Sequence, residues 1–432
     1  MESSDQNKAE TAKVRINALA HGGSCIGEII DNETGLAGIK VFVPETIPGE
    51  KVEVALLKKH ETFYQGQLLK ILTPSEDRIE PACPYFTSCG GCDLQHMTVL
   101  AQRKAKQDMV STMVKHHAGT EPTNGVSLLG EDLPDFHYRR RITLHMRAGK
   151  VGFYRKNTAD TVEIDKCLIS EDVVNQELAK LLPILKSHRS IRGDLIIEQH
   201  HGEAYVIIRM LVKYRKDKVS QFPEELLAEL KAKIANIKVH LSKHTYLHQI
   251  NFKDVSQAEP ASLPIGHFSQ VNDQANEYLL NTVLDNIDRD VVTELYAGSG
   301  NFSLALAKQG KKVDAVEVDK KLVKYGKALA KAEYLDKLVE FYRMTSEHYV
   351  EKHQIKECLI LDPPRSGAAF AAESMGRHTN TKKIVYISCY MPTLSRDIKT
   401  LVGHGFELED LYVVDMFPQT HHVETISILT RT

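Results

Sequence analysis

The stretch Val291-Val292-Thr293-Glu294-Leu295-Tyr296-Ala297-Gly298-Ser299-Gly300 decides the fold. A short apolar run breaks into a glycine-rich turn, and Asn301 to Gln309 then reads as a helix. Two later segments repeat the pattern. Cys358-Leu359-Ile360-Leu361 leads into Asp362-Pro363-Pro364-Arg365, and Ile384-Val385-Tyr386-Ile387 into Ser388-Cys389-Tyr390. Apolar runs of this length bounded by turns read as buried strands. With helix-like stretches between them, they predict a parallel sheet covered by helices on both faces. Such sheets place their chemistry beyond the carboxyl ends of the strands, where all three polar segments fall.

The glycine-rich turn is neither G-x-G-x-x-G nor a P-loop, which would need Gly-Lys-Ser/Thr. A second strand, Val313 to Val318, carries Glu317 near its end. An acid there is placed to take the two ribose hydroxyls of an adenosine cofactor. Together these features predict a nucleoside cofactor without a pyrophosphate, S-adenosylmethionine before NAD. Cys389 is the candidate nucleophile, followed by Pro392 and a helix expected to open at Thr393, whose dipole favours a thiolate. No histidine lies near it in sequence, which argues against a hydrolase. Alone, such a cysteine reads first as a buried hydrophobe.

At 432 residues the chain needs two or three domains. Lys and Arg number 55 against 57 Asp and Glu, so any nucleic-acid surface must be local rather than global. No apolar run is long enough to span a bilayer, and the polar Met1 to Thr11 is no signal peptide. The protein is therefore expected to be cytoplasmic, with no membrane association and no obligate protein partner, as a monomer. Four regions are expected: a flexible terminus 1–12, a small β-barrel 13–73, a central α+β domain 74–261, and the sheet domain 262–432.

In the first of these folded regions Val14 to Ile16, Gly38 to Val43, Lys51 to Leu57 and Gln65 to Ile71 are strand candidates, broken by Gly22-Gly23, Pro44 and Pro48-Gly49-Glu50. They fit a five-stranded barrel, which serves either as a nucleic-acid module or as an adaptor. Three of the seven cysteines follow, Cys83, Cys89 and Cys92, in a C-x5-C-x2-C pattern with Cys167 as the available fourth. Close thiolates hold an iron–sulfur cluster or a soft metal, with structural zinc as the alternative. A basic run comes next, with Arg139, Arg140, Arg141, Arg147, Lys150, Arg155 and Lys156 interleaved with Tyr138, Phe153 and Tyr154, and no acid from Phe136 to Ala159. This is either an RNA-binding surface, where basic groups meet phosphates and rings meet unstacked bases, or a solvated face. Val99 to His117 and the charged Lys213 to Val239 read as helical, and Tyr246 to Val255 as a strand region.

Taken together, these segments resemble the bacterial RNA (uracil-5-)methyltransferase family, in the 23S ribosomal RNA branch that carries a TRAM domain and an iron–sulfur cluster, over essentially the full chain. Gly22-Gly23, Phe42-Val43-Pro44 and Pro48-Gly49-Glu50 look like the TRAM domain. Phe268-Ser269-Gln270-Val271-Asn272 matches a family F-x-Q-x-N segment. Asp362 to Gly367 matches D-P-P-R-x-G, and Tyr386 to Asp397 the catalytic segment. Asp415-Met416-Phe417-Pro418 and His422-Val423-Glu424-Thr425 match the C-terminal motifs. The resemblance implies methylation of uracil C5 in 23S ribosomal RNA, with transfer RNA as the alternative substrate and an inactive RNA-binding relative as the alternative of another class. It implies that Cys389 adds to the base and Glu424 removes a proton, with Asp362 at the uracil edge. Gln270, Tyr296, Gly298, Gly300, Glu317 and Asp362 would hold S-adenosylmethionine, and Cys83, Cys89, Cys92 and Cys167 a [4Fe–4S] cluster. The sequence departs from the family at Glu294, where Asp is usual, at Ala297, often Cys, and at Tyr390, where Asn is nearly invariant.

Overall fold

The structure, a computed structural model, describes residues 10–31, 35–210, 224–241, 245–250, 266 and 270–432, with backbone alone over 240–250. Five strands open the chain: β1 (Thr11–Leu19), β2 (Ser24–Ile29), β3 (Lys40–Pro44), β4 (Lys51–Lys59) and β5 (Phe63–Thr73). They close into a barrel in the order β1-β2-β3-β5-β4, as the spacing predicts. Alternating residues such as Val14, Ile16, Val41, Val43, Val52 and Val54 fill it. The glycine Gly27 sits where a Cβ would fall 2.4 Å from the Arg15 carbonyl oxygen, so only glycine lets β1 and β2 approach. Glu50, fully buried at the barrel end, accepts hydrogen bonds from Arg78 at 2.7 and 2.8 Å and ties the barrel to the segment that follows.

Beyond the cysteine loop, α1 (Val99–Met113) runs into a wide turn, Val114–Ala118. The strand β6 (Val126–Leu129) follows. The central sheet is then built from β7 (Arg141–Arg147), β8 (Lys150–Tyr154), β9 (Thr161–Glu163), β10 (Arg192–His200), β11 (Glu203–Met210), β12 (Ile237–Leu241) and β13 (Thr245–Ile250). Its order is β13-β12-β11-β10-β7-β8-β9. The helices α2 (Asp172–Ser187) and α3 (Glu224–Lys233) contribute to its apolar core through Leu178, Leu181, Leu185, Leu226 and Leu230. The stretch expected to be a helical connector is only partly so: its end is strand β12, because Ile237 and Val239 alternate into the core. Its residues 213–223 lie outside the described residues, as do 251–255 of the expected strand region.

The last domain contains α4 (Asp273–Asp285), β14 (Val291–Leu295), α5 (Asn301–Lys308), β15 (Lys312–Glu317), α6 (Lys320–Ala332), β16 (Val339–Arg343), α7 (Ser346–Lys352), β17 (Cys358–Leu361), α8 (Ala369–Ser374), β18 (Lys383–Ser388), α9 (Met391–Gly403), β19 (Glu407–Val414) and β20 (Glu424–Thr430). Eight strands run β16-β15-β14-β17-β18-β20-β19-β6. β14 to β18 pair in parallel as expected, whereas β20 runs antiparallel to both β18 and β19. Two features differ from expectation. The strand β6, placed by sequence with the central region, pairs with β19 at the edge of this sheet. The helix α9 opens at Met391, two residues earlier than expected, with Pro392 in its first turn.

The Lys- and Arg-rich helix α1 is not a solvated basic face. Arg103 and Lys106 are buried and pair with the fully buried Asp415 at 3.2 and 2.7 Å. Arg103 also donates to the Leu133 carbonyl at 2.6 Å and Lys106 to the Phe417 carbonyl at 3.1 Å. Asp415 thus anchors α1 against the segment linking β19 to β20. Replacing Asp415 by Ala leaves two cations buried without their counter-charge, and denaturant unfolding should show a loss of about 3–5 kcal/mol.

Candidate active site

β14 lies at the centre of the strand order reversal, flanked by β15 and β17, so the crevice opens beyond its carboxyl end. The chain leaves β14 through Tyr296, which takes a left-handed φ of 65°, and then Gly298 and Gly300 at 58° and 94°. A Cβ on Gly300 would press on Phe341 at 2.9 Å, whereas one on Gly298 would meet nothing within 4 Å. The loop is therefore packed underneath and open above. Glu317, at the end of β15, accepts hydrogen bonds from the Gly298 amide at 3.0 Å and the Asp319 amide at 2.7 Å. The carboxylate is thereby fixed at the rim of the loop. Glu294 lies below it, 1 % exposed, and accepts a hydrogen bond from the Ser303 hydroxyl of α5. Burial first, and then the charge of Asp362, push its carboxyl up to about 8 against the hydrogen bonds from Ser303. The departure Glu294 thus binds the first strand to the first helix.

Gln270 is half-buried just before α4. Its neighbour Asn272 caps α4 through the Ala275 amide at 3.1 Å and donates to the Met416 carbonyl at 3.2 Å. Phe268 and Ser269 lie outside the described residues.

Cys389 follows β18 directly, and Glu424 opens β20. The antiparallel register pairs Ser388 with Thr425, so the next position on each strand brings Cys389 beside Glu424. Asp362 follows β17, whose Leu361 pairs with Tyr386 of β18. Three acidic groups are therefore gathered at one sheet edge. Burial pushes the Asp362 carboxyl up to about 7. Burial, then the charge of Asp362, raises Glu424 well above the usual carboxylate range. Burial and the charge of Glu424 push the Cys389 thiol up to about 11, with Arg365 opposing.

Histidines missed by sequence reasoning complete the edge. The His21 ring from the barrel meets Tyr390 edge-on at 5.0 Å and His421 at 6.2 Å. His421 bonds the buried Asp93 of the cysteine loop at 2.6 Å, and Lys156 of the central domain donates to the same carboxylate at 2.6 Å. Burial opposes this, yet His421 and then Lys156 hold the Asp93 carboxyl well below its usual range. Burial, and then the charges of His421 and Arg365, push His422 down to about 3, so its imidazole is neutral. Tyr390, the largest departure, is thus the meeting point of barrel and catalytic edge.

Cys83, Cys89, Cys92 and Cys167 line one cavity of about 670 Å³ that reaches Arg365 and His422. None of the four is in a disulfide. Burial, reinforced by the neighbouring thiols, pushes Cys89 up to about 11 and Cys92 up to about 12. Among the described residues no three His, Cys, Asp or Glu side chains converge tightly enough for a single metal ion.

The basic residues part company. Arg147, Lys150 and Arg155 are exposed. Arg139 and Arg141 line the cysteine cavity, and Arg141 lies 3.9 Å from the buried Glu198. Arg140, expected on the RNA surface, is 7 % exposed and pairs with Asp273 at 2.9 Å. Phe153 lines the cavity and packs against the central core. Lys156 is committed to Asp93.

A doubly wound sheet with a glycine-rich loop, a rim carboxylate and this acid-and-thiol edge defines a Rossmann-like methyltransferase domain. The chain belongs to the tRNA (Uracil-5-)-methyltransferase family, whose model matches residues 100–432, and a TRAM domain matches residues 6–69. It is 32 % identical over 412 residues to the 23S rRNA (uracil(1939)-C(5))-methyltransferase RlmD of Shewanella sp. (strain MR-7), covering 90 % of this chain and 91 % of that one. It is 32 % identical over 440 residues to the protein of the same name from Shewanella baltica (strain OS155 / ATCC BAA-1091), covering 96 % and 95 %. Among solved structures it resembles the Pyrococcus abyssi tRNA (uracil-54, C5)-methyltransferase in complex with S-adenosyl-L-homocysteine, with a TM-score of 0.66, 18 % identity, and coverage of 96 % of this chain and 100 % of that one. Among the described residues no helix is long and apolar enough to cross a membrane.

The raised Cys389 thiol has a direct readout. Its alkylation by iodoacetamide, followed by peptide mass spectrometry, should accelerate about tenfold per pH unit from about pH 7 to 10. A plateau below pH 9 would contradict the burial described.

Proposed function

We propose that this chain transfers a methyl group from S-adenosylmethionine to C5 of a uridine in 23S ribosomal RNA. The observation that carries this reading is the β18–β20 register, which sets a thiol and a carboxyl side by side at the edge of the crevice. S-adenosylmethionine supplies an electrophilic methyl group when bound. The residues present fit it: Glu317 would take the ribose hydroxyls, the open side of Gly298 leaves a cradle, and Tyr296, Gly300, Gln270 and Asp362 frame it.

Uracil C5 is a poor nucleophile. Cys389 reacts as its thiolate, its proton having passed to solvent; the sulfur bonds to C6, pushing electrons onto the C4 carbonyl oxygen and making C5 nucleophilic. Arg365 is the cation that favours the thiolate. Once C5 carries its new substituent, Glu424 takes the C5 proton, the C5–C6 double bond returns, and the sulfur leaves. Asp362 holds the uracil edge. The target base must leave its stack to reach this edge. Arg139, Arg141, Arg147, Lys150 and Arg155 are placed to hold flanking phosphates.

Cys83, Cys89, Cys92 and Cys167 would hold a [4Fe–4S] cluster, a reading supported by the four cysteines lining one cavity. It would order the loop that carries Asp93. Anaerobically reconstituted protein should contain about four irons and absorb near about 400 nm, and Cys83→Ser should lose both. Zinc at one equivalent without iron would overturn that assignment.

RNA carrying 5-fluorouridine tests the mechanism, because fluorine cannot leave C5 as a proton does. Wild type should form a covalent complex stable to denaturing gels. Cys389→Ala should bind RNA and trap none; trapping by that variant would remove Cys389 from its role. Mapping 5-methyluridine in 23S and transfer RNA from a deletion strain and its complement distinguishes the ribosomal substrate from the transfer RNA alternative.

A further inference from the structure

One side of the central sheet carries an ordered pair of rings that the catalytic site does not use. His145 of β7 and Tyr154 of β8 stack at 3.6 Å between centroids, 5° from parallel. The register explains how. His145 faces Gly152 on β8, and Tyr154 lies two residues beyond Gly152 on the same face. A Cβ on Gly152 would fall 1.8 Å from the Val162 carbonyl oxygen, so the glycine lets β9 close against β8 beside the ring pair. Across the other edge of β7, Asp194 of β10 pairs with His145 in register, and its carboxylate bonds His145 Nδ1 at 2.9 Å. The imidazole is therefore fixed from behind. The backbone beneath Tyr154 is held as well, since the Gly90 amide of the cysteine loop donates to the Tyr154 carbonyl at 2.9 Å. Tyr154 itself remains 41 % exposed.

The surroundings are basic. Arg147 and Arg192 are paired in register two residues from His145 and Asp194, and Lys150 lies opposite Arg147. All three are exposed. The apolar core contributed by α2 and α3 involves the inward residues of the same strands, Leu144, Met146, Leu195 and Ile197.

We propose that the Tyr154–His145 pair is a stacking platform for one unpaired base of the RNA substrate, outside the catalytic pocket, with Arg147, Lys150 and Arg192 on the adjoining phosphates. An exposed ring backed by a fixed ring offers a flat face at little entropic cost, and stacking tolerates any base. The charge of the surround selects a polyanion. This inference rests on the reading of the chain as an RNA methyltransferase.

Fluorescein-labelled decamers of adenylate and uridylate, titrated by anisotropy over a series of salt concentrations, test it. Tyr154→Ala should weaken binding roughly tenfold or more at each salt, leaving the salt slope unchanged, while Tyr154→Phe binds as wild type. Arg147→Ala should instead lower the slope by about one. A 2-aminopurine decamer should be quenched by wild type and not by Tyr154→Ala. Binding and quenching unchanged in Tyr154→Ala, in a protein that still traps 5-fluorouridine RNA, would overturn the platform alone. A wild type that neither binds nor traps RNA would overturn the methyltransferase reading and the platform with it.

Discussion

The insertion of β20 antiparallel between β18 and β19 governs the site. A wholly parallel sheet presents only the carboxyl ends of its strands at one edge. Reversing one strand delivers an amino end to that edge, and with it Glu424 next to Cys389. The price is burial of acids. Asp362, Glu424 and the Cys389 thiol share a poorly hydrated edge, where each negative charge disfavours the others. Burial shifts all of these groups, and His422 beside them, toward their neutral forms.

Stability and chemistry share the same connecting segment. Between β19 and β20 the chain carries Asp415, clamped by Arg103 and Lys106, then Gln419, which exchanges hydrogen bonds with Gln102 at 2.9 and 3.0 Å. The Asp93 and Leu94 amides both donate to the Gln419 carbonyl at 3.0 Å. His421 closes the set against Asp93. Barrel, cysteine loop and helix α1 all bear on the seven residues 415–421, shortly before Glu424. Fixed charges and paired amides hold this segment, and with it the approach to Glu424, in place.

Much of this is legible in the chain. The three strand-then-loop segments give the sheet and most of the pocket, because each is a continuous apolar run followed at once by its polar residue. The barrel follows from alternation and turn residues. Other features have no local trace. Asp93 and His421 are separated by 328 positions, and neither stands in a periodic pattern. The run Arg139-Arg140-Arg141 looks uniform, yet strand alternation turns Arg140 inward to Asp273 while its neighbours face the cavity. The basic appearance of α1 misleads for the same reason: its partner, Asp415, is over 300 residues away. The Tyr154–His145 stack joins two strands whose pairing sets the rings on one face, which only the register reveals.

The place of β20 also bears on synthesis. Translation delivers it after every other strand of the sheet, yet it must enter the interior between β18 and β19 rather than add to an edge. Until then β18 and β19 cannot lie side by side at their final distance, and Glu424 is absent from the edge. The barrel and the central sheet carry no such dependence and can form while the rest is still being made. A nascent chain would therefore complete the strands of the barrel and central sheet before Glu424 reaches the edge beside Cys389. The late strand leaves the Cys389–Glu424 edge unformed until the polypeptide has been made through residue 430.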